Sequence, residues 1–144
     1  MKKNLFACLF FFLCANVAST AFAHSFKTGT IDIGHPWAMP TEAGVATAEV
    51  YLSFMNMGEV PDQLTGASTS IAHKTMLNDG KGTVQTLDLP VKRGVPMRPG
   101  AAHIELQGLK GGLIVGDKFT LRLTFANAAP VDVSVFVEDQ GSHN

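Results

Sequence analysis

The stretch "ATAEVYLSF", residues 46–54, decides the fold. Ala48, Val50, Leu52 and Phe54 alternate with Glu49, Tyr51 and Ser53. Extended chain sends successive side chains to opposite faces, so a period of two marks a half-buried strand. The pattern returns in "KFTLRLTF" (118–125), where Phe119, Leu121, Leu123 and Phe125 alternate with Lys118, Thr120, Arg122 and Thr124. In "VDVSVFV" (131–137) Val131, Val133, Val135 and Val137 face one way. These runs are rich in the branched and aromatic side chains that suit a pleated surface. Shorter strands are predicted at "TGTIDIG", "QLTGAST", "GTVQTLDL", "GVPMR" and "AHIELQGL". Turn residues separate them: Asn78-Asp79-Gly80, Pro99-Gly100, Gly111-Gly112 and Gly116-Asp117. No stretch offers a long helical face. Seven to nine short strands in about a hundred residues predict an all-β, single-domain Greek-key sandwich.

The chain before this domain has a different character. Lys2 and Lys3 precede an apolar run, Leu5–Val17, and Ala21-Phe22-Ala23 forms an A-x-A cleavage site. Residues 1–23 therefore read as a signal peptide and residues 24–144 as the exported domain, in a periplasm. Cleavage after Ala21 competes with cleavage after Ala23. A lipoprotein reading is weaker, since bulky Leu13 precedes Cys14 and Cys8 lies too early. Both cysteines fall within the signal, so the exported chain has neither a disulfide nor a thiolate metal site. The apolar run is too short to span a bilayer comfortably. Removing Lys2 and Lys3 from the eleven Lys and Arg leaves nine against twelve Asp and Glu, a formal charge of −3. That balance argues against nucleic acid or an anionic membrane as partner.

Cleavage after Ala23 would make His24 the first residue. A terminal amine has a pKa of about 7.7–8.0, so it deprotonates near neutrality. That nitrogen and the His24 Nδ1 can close a six-membered chelate on one metal ion. An imidazole from elsewhere then completes a three-nitrogen histidine brace, which suits tetragonal Cu(II). His103 in "AHIELQGL" is the expected partner. Alternation places it with Glu105 and Gln107 on one face, and Ile104 with Leu106 on the other. His73 and Met76, in "HKTM" before the Asn78-Asp79-Gly80 turn, are a plausible soft pair for copper. Met97 also lies near a histidine. Met55 and Met57 read as fillers, His35 as a turn residue or a packing partner of Trp37, and His143 as part of a loose tail.

"IDIGHPWAMPTEAGVATAEVYLSFMNMGEVPDQLTGASTSIAHKTM" followed by "RPGAAHIELQGLKGGLIVGDKFTLRLTF" resembles the PCu(A)C domain over about Thr30 to Val137. The most specific parts are "PWA", "HIELQGL" and "GDKFTLRLTF". The resemblance implies a periplasmic copper chaperone with a cupredoxin-like β-sandwich. It matches His103 to the family's second metal-binding histidine and His73 to the first. The family's His-x-Met reads His103-Ile104-Glu105 here, and Lys81 and Gly82 stand near where an intermediate methionine belongs. Met76 is the available substitute. Exchanging thioethers for a carboxylate and an amine shifts the donors from soft to hard, which favours Cu(II) over Cu(I).

The expected site is therefore His24 and His103, with His73, Glu105 and Met76 as further ligands or orienting groups. The expected function is copper capture, with delivery to a cuproenzyme or copper transporter, and no enzymatic activity. A brace-type copper monooxygenase is the enzymatic alternative. Trp37 and Tyr51, the single Trp and Tyr, give it little material for a sugar-binding platform. A non-metal interaction sandwich is the third reading.

Overall fold

The computed structural model describes residues 25–140. The expected signal segment, its cleavage site, His24 and His143 lie outside them. Eleven strands account for most of the described chain: β1 (Phe26–Thr28), β2 (Ile31–Ala38), β3 (Thr47–Asn56), β4 (Asp62–Ser68), β5 (Ala72–Asn78), β6 (Thr83–Val84), β7 (Leu87–Leu89), β8 (Gly94–Pro96), β9 (His103–Leu109), β10 (Lys118–Phe125) and β11 (Val131–Val137). The count exceeds the seven to nine expected because "GTVQTLDL" divides into β6 and β7, and because β1 and β5 are not among the predicted runs. β1 has only three residues, too few to show an alternation, and β5, which holds "HKTM", has one strongly apolar inward residue near its end, Leu77.

The strands form one hydrogen-bonded path, β6-β5-β9-β3-β2-β11-β10-β4-β7, with β1 added to β2 and β8 to β3. The sheet folds over on itself into a nearly closed sandwich. The Thr75 hydroxyl donates to the Ala67 carbonyl where β5 and β4 approach each other. Neighbouring strands are antiparallel except β11 and β2, which run parallel at Phe136 opposite Trp37 and Val137 opposite Ala38. Chain order and spatial order differ: β9 inserts between β5 and β3, and the last strand lies beside the second. This is the predicted Greek-key character.

Inner-face side chains build a single core. Ile33, Val50, Phe54, Leu64, Ile104, Leu106, Leu121, Leu123, Val133 and Val135 are buried. Most of them are the apolar members of the alternating runs. Alternation also places Tyr51 correctly on the outer face, but Tyr51 is fully buried there. Trp37, directly opposite it on β2, packs its ring 4.7 Å from the Tyr51 ring. Met97 belongs to the core and its backbone N–H donates to the Leu52 carbonyl, so it is not a surface donor.

Candidate metal centre

The outer face of β5, β9 and β3 assembles the chemistry. Register sets Asn78 opposite His103, Met76 opposite Glu105 and Lys74 opposite Gln107. Across the other edge of β9, Glu49 stands opposite Glu105. Residues directly opposite in an antiparallel pair share a face. His103, Glu105, Met76, Glu49 and Tyr51 therefore lie on one surface.

His103 is anchored from its own loop. Its Nδ1 lies 2.8 Å from the Ala101 carbonyl oxygen. A carbonyl can only accept, so Nδ1 carries the hydrogen and the neutral ring keeps its lone pair on Nε2. That is the usual arrangement of a metal-binding imidazole, whose second nitrogen is held by a carbonyl or carboxylate. The loop itself is clamped. Gly80 in the Asn78–Gly82 turn has φ of +91°, and a Cβ there would sit 3.0 Å from the Ala101 carbonyl carbon. Only glycine lets the turn lie this close to the backbone that orients His103.

Beside His103, Tyr51 donates to Glu49 Oε2 at 2.5 Å. Burial, then the bond to Glu49, then the Glu49 charge raise the Tyr51 pKa well above the usual phenol value. Tyr51 therefore stays a donor at any physiological pH. The other Glu49 oxygen, Oε1, is 3.8 Å from His103 Nε2. The Tyr51 and His103 rings meet edge to face at 6.5 Å. Glu105 shares this face, but its Oε1 accepts from the Gln107 side chain at 2.7 Å.

The structure does not gather every expected donor. His73 lies at the far end of β9, its ring over Gly108, where a Cβ would meet the His73 Cδ2 at 2.9 Å. Five residues of β9 separate that level from His103, about 16 Å of strand. His73 and His103 thus stand apart, because β5 and β9 run antiparallel and place the two histidines at opposite ends of their pairing. Met76 does reach the His103 face, one register step away. Among the described residues, no three His, Cys, Asp or Glu side chains form a metal-holding group.

His35 is a second anchored imidazole, and it packs on Phe136. Its ring lies parallel to that of Phe136 at 6.5 Å, and its Nε2 is 3.0 Å from Glu138 Oε2. His35 sits in a bulge of β2 between Gly34 and Trp37, with φ of +30°, a conformation that L residues adopt only under constraint. Sequence reasoning did not pick out Glu49, because alternation gives its face but not that β3 lies beside β9.

The β-sandwich with a histidine-bearing outer face defines a PCuAC-type domain. The copper-bound PCuAC domain of PmoF2 is 28% identical, with a TM-score of 0.76, covering 81% of this chain and 98% of that one. Cu(I)-DR1885 of Deinococcus radiodurans shares the fold at 21% identity, with a TM-score of 0.65 over 85% of this chain and 86% of that one. The family described as "Putative lipoprotein LpqE-like" matches residues 31–137, and the chain belongs to this LpqE-like family. "Putative lipoprotein Lxx21020" of Leifsonia xyli subsp. xyli (strain CTCB07) is 27% identical over 123 residues, covering 79% of this chain and 73% of that protein.

Proposed function

We propose that this protein is an exported copper-binding protein that captures Cu(II) with the amine and imidazole of an N-terminal His24 together with His103, and passes it on. One observation carries the reading: the Ala101 carbonyl holds His103 Nδ1, leaving Nε2 as an aimed lone pair. The similar PCuAC domain of PmoF2 has a copper-bound form, which supports copper as the cargo. Hard donors in place of the His-x-Met thioether favour the cupric ion.

The direction of the chain supports an N-terminal contribution. β1 pairs with β2 so that Phe26 opposes Ile33, Lys27 opposes Asp32 and Thr28 opposes Ile31. β2 runs on from Ile33 through Gly34 and His35 to Trp37, which packs on Tyr51 beside His103. The pairing of β1 with β2 favours a second reading. His35 lies in the bulge of β2, with its Nε2 3.0 Å from Glu138 Oε2. In that reading His35 supplies the third nitrogen.

Titration of the processed protein with Cu(II), followed by electron paramagnetic resonance, distinguishes the two. The expected result is an affinity loss of more than about 100-fold for His103→Ala, beyond the range typical of residues that only orient a ligand. His73→Ala should bind as the parent does. A loss on His35→Ala with none on His103→Ala would replace the first reading by the second. Unchanged spectra in both variants would remove both.

Export also has two versions, and they make opposite statements about His24. Family and relative carry lipoprotein names. Lipid attached at Cys14 would leave His24 inside the chain with no free amine, whereas cleavage after Ala23 would free it.

A further inference from the structure

We propose that Glu49 is the anionic copper ligand beside His103, and that Tyr51 is the residue that positions it. The proposal rests on His103 as a metal-binding residue.

Two metal bonds of about 2 Å put their donor atoms about 2.8 Å apart at a right angle and about 4 Å apart when opposed. Glu49 Oε1 and His103 Nε2 are 3.8 Å apart, inside that interval and too long for a hydrogen bond. One divalent ion fits between them without either side chain moving far. The remaining carboxylate oxygen, Oε2, is fixed by the Tyr51 hydroxyl. Tyr51 has no freedom to turn away, being fully buried with its ring against Trp37 on one side and His103 on the other. The carboxylate thus presents one oxygen to a rigid donor and the other to the imidazole.

The neighbouring strand gives an independent reason. Glu49 stands directly opposite Glu105 in the register of β3 and β9. Like charges in that relation destabilise a sheet. Gln107 engages Glu105 through a neutral amide, which offsets none of the charge. Lys74, on the same face of β5, stands opposite Gln107, one register step beyond Glu105. A cation held between Glu49 and His103 would relieve the repulsion where it arises. A carboxylate also explains how this site could select a divalent ion: it offsets one of the two charges of Cu(II), and oxygen is a poor donor for Cu(I).

The test uses the processed protein and Cu(II) as the probe. Glu49→Gln keeps the shape and removes the charge. Its affinity should fall about tenfold or more, and the resonance spectrum of bound Cu(II) should shift as an anionic oxygen is lost. Glu49→Asp should restore part of both. Tyr51→Phe keeps the ring and the charge at 49 and removes only the donor. It should move the spectrum in the same direction by a smaller amount while leaving the far-ultraviolet circular dichroism unchanged. If Glu49→Gln and Tyr51→Phe match the parent in affinity and spectrum while His103→Ala loses copper, Glu49 is a bystander and the proposal fails alone. If His103→Ala also matches the parent, the underlying reading of the site fails with it. Should Glu49→Gln not fold, Tyr51→Phe decides by its spectrum.

Discussion

Asp62 and Glu49 are both carboxylates at strands of the same sheet, and they are used in contrary ways. Asp62, at the start of β4, is buried, with both oxygens engaged. Its Oδ1 accepts from the backbone N–H of Gln63 at 2.7 Å and Asn127 at 2.9 Å, and its Oδ2 from Ala128 at 2.8 Å. Burial alone would raise its pKa. The backbone donors of Gln63, Ala128 and Asn127 outweigh it, and the pKa is lowered. Glu49 is only partly buried, with one oxygen held by Tyr51 and the other facing an imidazole at more than hydrogen-bond distance. A carboxylate with both oxygens held by backbone donors fastens a loop. One with an oxygen to spare beside a lone-pair nitrogen is a ligand in waiting.

The contrast can be broken from either side. Asp62→Ala strips three backbone N–H groups of their charged acceptor and should cost about 2–4 kcal/mol of stability, read by denaturant unfolding. The copper affinity of the folded protein should stay at the parent value, since Asp62 lies outside the metal face. Because the folded-state pKa of Asp62 is lowered, its contribution is complete above the unfolded value of about 3.9 and is lost as pH falls through the folded one. Asp62→Asn should therefore flatten the acid loss of stability below about pH 5. An Asp62 variant that lost copper but not stability would erase the distinction between the two carboxylates.

A smaller effect sharpens the other side. Gly80→Ala places a side chain in a left-handed conformation and against the Ala101 backbone. It should cost about 1–2 kcal/mol in the same unfolding measurement. It should also weaken Cu(II) binding several-fold, because Ala101 holds the His103 ring. A stability loss with copper binding untouched would show that the clamp does not act on the site.

The long strands were legible because alternation over seven or more residues is a strong signal. β3, β10 and β11 appear where "ATAEVYLSF", "KFTLRLTF" and "VDVSVFV" place them. The outward direction of His103 and Glu105 followed from the same rule, and so did the outer-face position of Tyr51. What alternation cannot give is which strand lies beside which. β9 pairs with β3 only through a non-local register, and that register makes Glu49 a neighbour of His103. It also carries His73 away, although "HKTM" looked close to His103 by family likeness. Tyr51 misled for a related reason: its own strand codes for an exposed position, but Trp37 from β2 covers it. The bulge at His35 and its contact with Phe136 depend on β11 arriving alongside β2, which no local pattern announces.

The most direct test of the account is at the first residue. Intact mass locates the start of the exported protein, and Cu(II) titration then compares protein beginning at His24 with the same protein carrying one glycine ahead of it. The added residue leaves every side chain in place and destroys only the chelate of amine and imidazole. The account predicts a start at His24, and an extended form that binds Cu(II) more than about 100-fold more weakly with an altered resonance spectrum. Equal affinity and identical spectra for the two forms, or a mature chain beginning at Cys14, would contradict it.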